Sequence, residues 1–192
     1  MAHRYNMRRF ALLTSLAAVI AITLVGCSNH STAPEPAGEA SAADAMFAQM
    51  MIPHHEQAVV MADLAPTRAQ DPAIIAIAAE IKGAQQPEID QMTAWLEEWG
   101  VPRMAGDDAM AAHSGHGMSG MLSDEQLAEL EASSGADFDQ LFAQFMIEHH
   151  QGAVEMASEV TGSADPRVAA LATQIVETQQ AEIEQLQPFA GS

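Results

Sequence analysis

The chain has 192 residues, with 26 acidic side chains against seven lysines and arginines and a formal net charge of −19. Such a surface repels nucleic acid and anionic lipid headgroups and concentrates cations. A single cysteine excludes any disulfide within the chain.

Residues 1–26 read as a secretory signal. Arg4, Arg8 and Arg9 give a basic start, Phe10 to Val25 is apolar, and Gly26 precedes Cys27. That apolar run is shorter than the roughly 20 residues of a membrane-spanning helix. Leu24-Val25-Gly26-Cys27 resembles the lipobox of bacterial lipoproteins. The resemblance implies a lipid on Cys27 and anchorage on the outer side of a membrane. Residues 27–43 are small, polar and proline-bearing, the composition of a flexible tether. Beyond Cys27 all 26 acidic residues meet only Arg68, Lys82, Arg103 and Arg167, a net charge near −22. The remaining 44–190 segment is long enough for one domain with a real core.

Two stretches of this domain are near-copies. Phe47 aligned on Phe142 sets an offset of 95, and 11 of 16 positions then match over 47–62 and 142–157. Each copy holds an adjacent histidine pair, His54–His55 and His149–His150, followed by Ala-Val and Met-Ala. Duplication of one structural unit explains the match. With His54 as origin, Phe47, Met50, Ala58 and Met61 fall within about 40° on a helical wheel, while Met51, Ala62 and His55 lie about 60° to 100° away. The first histidine of each pair is therefore expected mid-stripe toward the core, and the second at the stripe's edge.

Asp71-Pro72 and Asp165-Pro166 each place a capping residue before a proline, opening helices expected over 72–99 and 166–188. Gln85 and Glu88 fall on the apolar stripe of the first, and Gln179 and Glu182 on that of the second. Buried polar groups need partners. Counted back from a turn at 66–71, Gln85 should lie level with Met50 and Met51, and Glu88 further along. Residues 101–122 are rich in Gly and Ser without helical period, and predict a mobile loop. Ser123 opens a short helix over 124–133, Gly135 ends it, and a helix near 137–160 follows. The architecture is an all-α, antiparallel four-helix bundle: two repeated hairpins, 44–99 and 137–190, joined by a long crossover, 100–136.

Histidine is the commonest metal ligand and thioether sulfur selects soft ions, Cu(I) above all. Helical spacing makes neighbours of Met50 and His54, of Met51 and His55, and of Met146 and the second pair. Methionine at such spacing is ordinarily core, but a duplicated histidine pair flanked by methionine in both copies points to ligands. Gln85, Glu88, Gln179 and Glu182 are either partners that orient the imidazoles or a buried polar set fixing helix register. The crossover adds Met104, Met110, His113, His116, Met118 and Met121, a composition suited to loop capture of metal. No phosphate loop, nucleophile elbow or cysteine nucleophile is present. Di-iron carboxylate bundles need Glu-x-x-His, and Met51 and Met146 stand where that glutamate would precede His54 and His149.

HHEQAVVMA and HHQGAVEMA, with QQPEIDQMTAWL and QQAEIEQL after them, resemble the bacterial domain of unknown function 305 family over about residues 44–190. The resemblance implies a ferritin-like helical bundle and, for some members, extracytoplasmic copper binding through Met and His. The matching positions are His54, His55, Met61, His149, His150 and Met156. Phe145 stands where the first copy has Met50, so the two repeats cannot offer identical sites. The leading expectation is an exported, lipid-anchored copper protein with a metal ion and a copper-handling protein as partners, and none with nucleic acid. A ferritin-like metal oxidase and a structural bundle with core histidines are the alternatives.

Overall fold

The computed structural model describes residues 40–104 and 119–191. The signal segment, Cys27, most of the tether, and Met110, His113, His116 and Met118 lie outside them. The helices are α1 (Ala42–Arg68), α2 (Pro72–Trp99), α3 (Asp124–Ala132), α4 (Ala136–Ser158) and α5 (Pro166–Leu186). A 3-10 turn over Gln187–Phe189 follows α5, where Pro188 can no longer supply an N–H. Among the described residues there is no strand, only an isolated bridge between Ala69 and Gly135.

Side chains satisfy the orphan amides at most helix starts. The Ser41 hydroxyl accepts from the Asp44 amide, Asp71 from Ala73 and Asp165 from Arg167. Ser123 and Gln126 form a reciprocal capping box on α3. Pro53 and Pro66 lie inside α1 and Pro87 inside α2, each removing one backbone donor without ending its helix.

That continuity corrects the expected hairpin register. The chain turns at residues 69–71 rather than 66–71, because α1 runs on through Pro66 to Arg68. Lys82 pairs with Asp63 across the hairpin, and Glu88 reaches His55. Glu88 was expected further along than Met50 and Met51, so the shift exceeds a full turn. Asp139 of α4 fixes the turn, accepting from the amides of Gln70 at 3.0 Å and Asp71 at 2.9 Å.

The four long helices pack as two hairpins, α1 with α2 and α4 with α5. Between hairpins α1 faces α4, and α2 faces α5. Ala58 and Met61 of α1 cluster with Phe142 and Met146 of α4, whereas Phe47 and Met51 cluster with Ala153 and Ala157. Rising numbers therefore meet falling ones, and α1 and α4 run antiparallel. Glu98–Arg167 and Glu88–Gln174 contacts give α2 and α5 the same relation. The core is two apolar clusters, separated by a layer holding buried His54, His55, Gln85, Glu88, His149, His150, Gln179 and Glu182.

Replacing Asp139 with Ala leaves two turn amides without their acceptor and should lower unfolding stability by about 2–4 kcal/mol. Denaturant melts of the two proteins measure this. An unchanged midpoint would mean that the turn holds without the carboxylate.

Candidate metal centre

All four histidines are fully buried, with 0% exposure. His55 and His150 were expected at the stripe's edge. They are covered because α2 and α5 close over them with Glu88 and Glu182. The His54 and His149 rings meet at a tilt across the α1–α4 contact, centroids 3.7 Å apart and planes inclined by 39°. The second histidines reach outward to their own hairpin partners. His55 Nε2 lies 2.9 Å from a Glu88 carboxylate oxygen, and His150 Nε2 2.7 Å from Glu182. The Gln174 amide donates to the other Glu88 oxygen at 3.0 Å.

Opposite an ionised carboxylate, which only accepts, Nε2 of His55 or His150 would carry the proton and donate. A neutral ring then keeps its lone pair on Nδ1. Those two Nδ1 atoms are buried without hydrogen-bond partners, as are both ring nitrogens of His149 and the side-chain amides of Gln85 and Gln179. His149 titrates well below the usual 6.5, first because burial penalises its charge, then because His54, His150 and His55 would repel it. A backbone contact to His54 pushes the other way without prevailing. Neutral imidazole is the ligand form.

The donor set fits a soft ion. A carboxylate holding one imidazole nitrogen leaves the other free to ligate, the usual outer support of metal-bound histidine. Met51 and Met146, fully buried, lie one helical turn from His55 and His150. No group of three or more His, Cys, Asp or Glu among the described residues is arranged to hold an ion. Thioether sulfur beside the imidazoles is a donor of the kind soft ions take. Met61 lies in one apolar cluster. Met50 and Met156 instead line an open groove at the α1–α4 edge. Met104 and Met121 are half-buried.

Part of the expected loop is fixed. Residues 119–122 cross the α1–α4 seam over the histidines. The Ser119 carbonyl lies 3.3 Å from His54 Nε2. Gln57 grips the Leu122 backbone twice, donating to its carbonyl at 3.0 Å and accepting from its amide at 2.8 Å. Gly152 occupies the repeat position matching Gln57, and a Cβ there would lie 1.7 Å from the Ser119 carbonyl. Gly120 has φ of +86°, and its own Cβ would meet the Glu148 carbonyl at 2.4 Å. One copy of the duplicated unit grips the strap, and the other makes room for it. The unmatched Gln57/Gly152 position was the visible signal, and comparing only the matches passes over it.

An all-helical bundle with a buried, duplicated histidine–carboxylate layer is the class that fold and site define. The chain belongs to the DUF305 family, described as a domain of unknown function, whose pattern matches residues 44–190. Nothing among the curated proteins matches significantly. Among solved structures, a DUF305 fragment from Deinococcus radiodurans is 33% identical, covering 80% of this chain and 98% of that one, with a TM-score of 0.69. A DUF305 protein from Streptomyces coelicolor, whose name carries the word secreted, is 33% identical over 75% of this chain and 89% of its own, at 0.68. CopM in a Cu(I)-bound form is 32% identical over 76% of this chain and 94% of its own, at 0.63. CopM is also known in Cu(II)-bound and Ag-bound forms.

Two outcomes are expected. Below pH 6.5 the unfolded chain gains a proton that folded His149 refuses. Stability contributed by this residue is complete above that pH and falls on acidification toward the depressed folded value, by at most about 1.4 kcal/mol per pH unit. Urea melts at pH 7 and 5.5 should show a smaller loss in His149→Gln. Equal losses in both proteins would mean that His149 titrates normally. Gly152→Ala should displace the strap or cost about 1–3 kcal/mol by overpacking, and amide exchange at Leu122 would rise. Unaltered protection at Leu122 would show that the strap is not seated against α4.

Proposed function

We propose that the protein is an exported, lipid-anchored copper-binding protein, preferring Cu(I), that buffers, detoxifies or delivers the ion outside the cytoplasm. The observation that carries this reading is the set of buried, partnerless Nδ1 atoms on His55 and His150, each ring held from behind by a glutamate. Buried polar atoms without partners cost free energy, and a cation taken up between imidazoles and thioethers would relieve that cost.

His54, His55, His149 and His150 would supply nitrogen and Met51 and Met146 sulfur, with Met61 near the layer. Glu88 and Glu182 would hold the tautomers, and Gln85 and Gln179 would line the polar layer. When bound, the ion brings only its affinity for soft donors. Neutral imidazole and thioether suit a monovalent ion, since they import no negative charge that would favour a harder cation. The relatives crystallised with Cu(I), Cu(II) and Ag support a metal partner. The histidine-flanked crossover would pass ions onward, and the acidic exterior would raise their local concentration.

A purely structural reading rests on the same His–Glu pairs, which would then serve to fix helix register. Thermal melts separate the two. Full-length protein in detergent, held anaerobically with Cu(I) at 100 times its Kd, should gain about 2.7 kcal/mol of stability. Changing His54, His55, His149 and His150 to Ala should remove that gain and the tightest binding in a chelator competition. An unchanged melting temperature of the wild type with Cu(I) would leave the structural reading standing.

A further inference from the structure

The candidate ligands do not all gather in the histidine layer. Met50 and Met156 line a groove of about 300 Å³ between the first turns of α1 and the last turns of α4. Met46 completes a trio of methionines there, with Glu155, Glu159 and Ser119 on the walls. Met46 is 58% exposed.

The duplication supplies an internal control. At the 95-residue offset, Met46, Met50 and Met156 correspond to Leu141, Phe145 and Met61. Glu155 and Glu159 correspond to Val60 and Leu64. Leu141, Phe145, Met61 and Leu64 belong to or pack against one apolar cluster, which Leu127 and Leu130 of α3 help to cover. The same helix pair therefore closes at one end with Leu and Phe. At the other end it carries three thioethers and two carboxylates around an open cavity. Packing does not require sulfur at Met46 and Met50, because Leu141 and Phe145 fill the counterpart positions, whereas Met156 has a methionine, Met61, as its counterpart.

We infer that the Met46–Met50–Met156 groove is a separate, solvent-open site for a soft monovalent cation, Cu(I) or Ag(I). Three thioethers give a neutral, soft donor set that discriminates against Mg²⁺, Ca²⁺ and Zn²⁺. Glu155 and Glu159 attract the cation and offset its charge. Ser119 joins this groove to the interior, since it lines the cavity and its carbonyl also contacts His54. The groove is therefore placed to receive an ion before the buried layer does. Only the ion's identity rests on the copper reading above.

The test is an anaerobic Ag(I) titration of the full-length protein, wild type beside M46L/M50L/M156L. Leucine keeps apolar volume and deletes the sulfur. The triple variant should bind one ion fewer per chain while retaining histidine-dependent binding. In wild type carrying ¹³C-methyl methionine, the Met46 ε-methyl resonance should shift on Ag(I) addition, which reads the site even if the variant folds poorly. Unchanged stoichiometry in the variant, or an unmoved Met46 methyl, overturns the inference. If the four-histidine variant instead loses nothing while the leucine variant loses one ion, the groove stands and the buried site falls.

Discussion

The structure depends on burying two histidine–glutamate pairs in the middle of an apolar bundle. His55–Glu88 and His150–Glu182 each tie a helix to the partner within its own hairpin. A carboxylate in a core is costly unless paired, and removing one partner of such a pair costs about 3–5 kcal/mol. The pairs thus set the register in which α1 meets α2 and α4 meets α5. That register brings His54 against His149 across the hairpin interface. Two hairpins docked one turn out of place would bury carboxylates beside leucine and phenylalanine.

The same layer that fixes the register leaves donors unspent. Duplication explains why. Two copies of a half-site, brought together antiparallel, place like groups together: the His54 imidazole meets the His149 imidazole. Like groups do not neutralise one another as unlike ones do. Burial and three neighbouring imidazoles consequently hold the His149 pKa well below its usual value. Imidazole nitrogen in that layer, with Met51 and Met146 in the apolar clusters beside it, would suit a soft cation better than Ca²⁺ or Mg²⁺.

Divergence between the copies carries the asymmetry. Gln57 and Gly152 turn one repeat position into a grip and a gap for the 119–122 strap. Met46, Met50 and Glu159 stand against Leu141, Phe145 and Leu64, so one end of the α1–α4 seam closes while the other stays open. The duplicated positions build the scaffold and the buried layer. The unmatched ones determine how that layer meets solvent.

Helices, hairpin repeat and family were legible in the chain, because caps, helical-wheel spacing and a duplicated motif are local signals. Asp71, Ser123 and Asp165 marked helix starts through side chains that satisfy amides two or three residues away. The sequence also singled out Gln85, Glu88, Gln179 and Glu182 as core-facing groups needing partners. Which partners they found depended on how the helices pack. Glu88 and Glu182 met the second histidines, and Gln85 and Gln179 met none. The register could not be counted from the chain, because Pro66 is a turn signal that α1 overrides once its other amides are satisfied. Full burial of His55 and His150 was likewise invisible to a wheel drawn for one helix, since it is α2 and α5 that cover them. Met46 and Met61 look alike in sequence, each a methionine on α1. One is exposed and the other buried because their environments come from α4, nearly a hundred residues away.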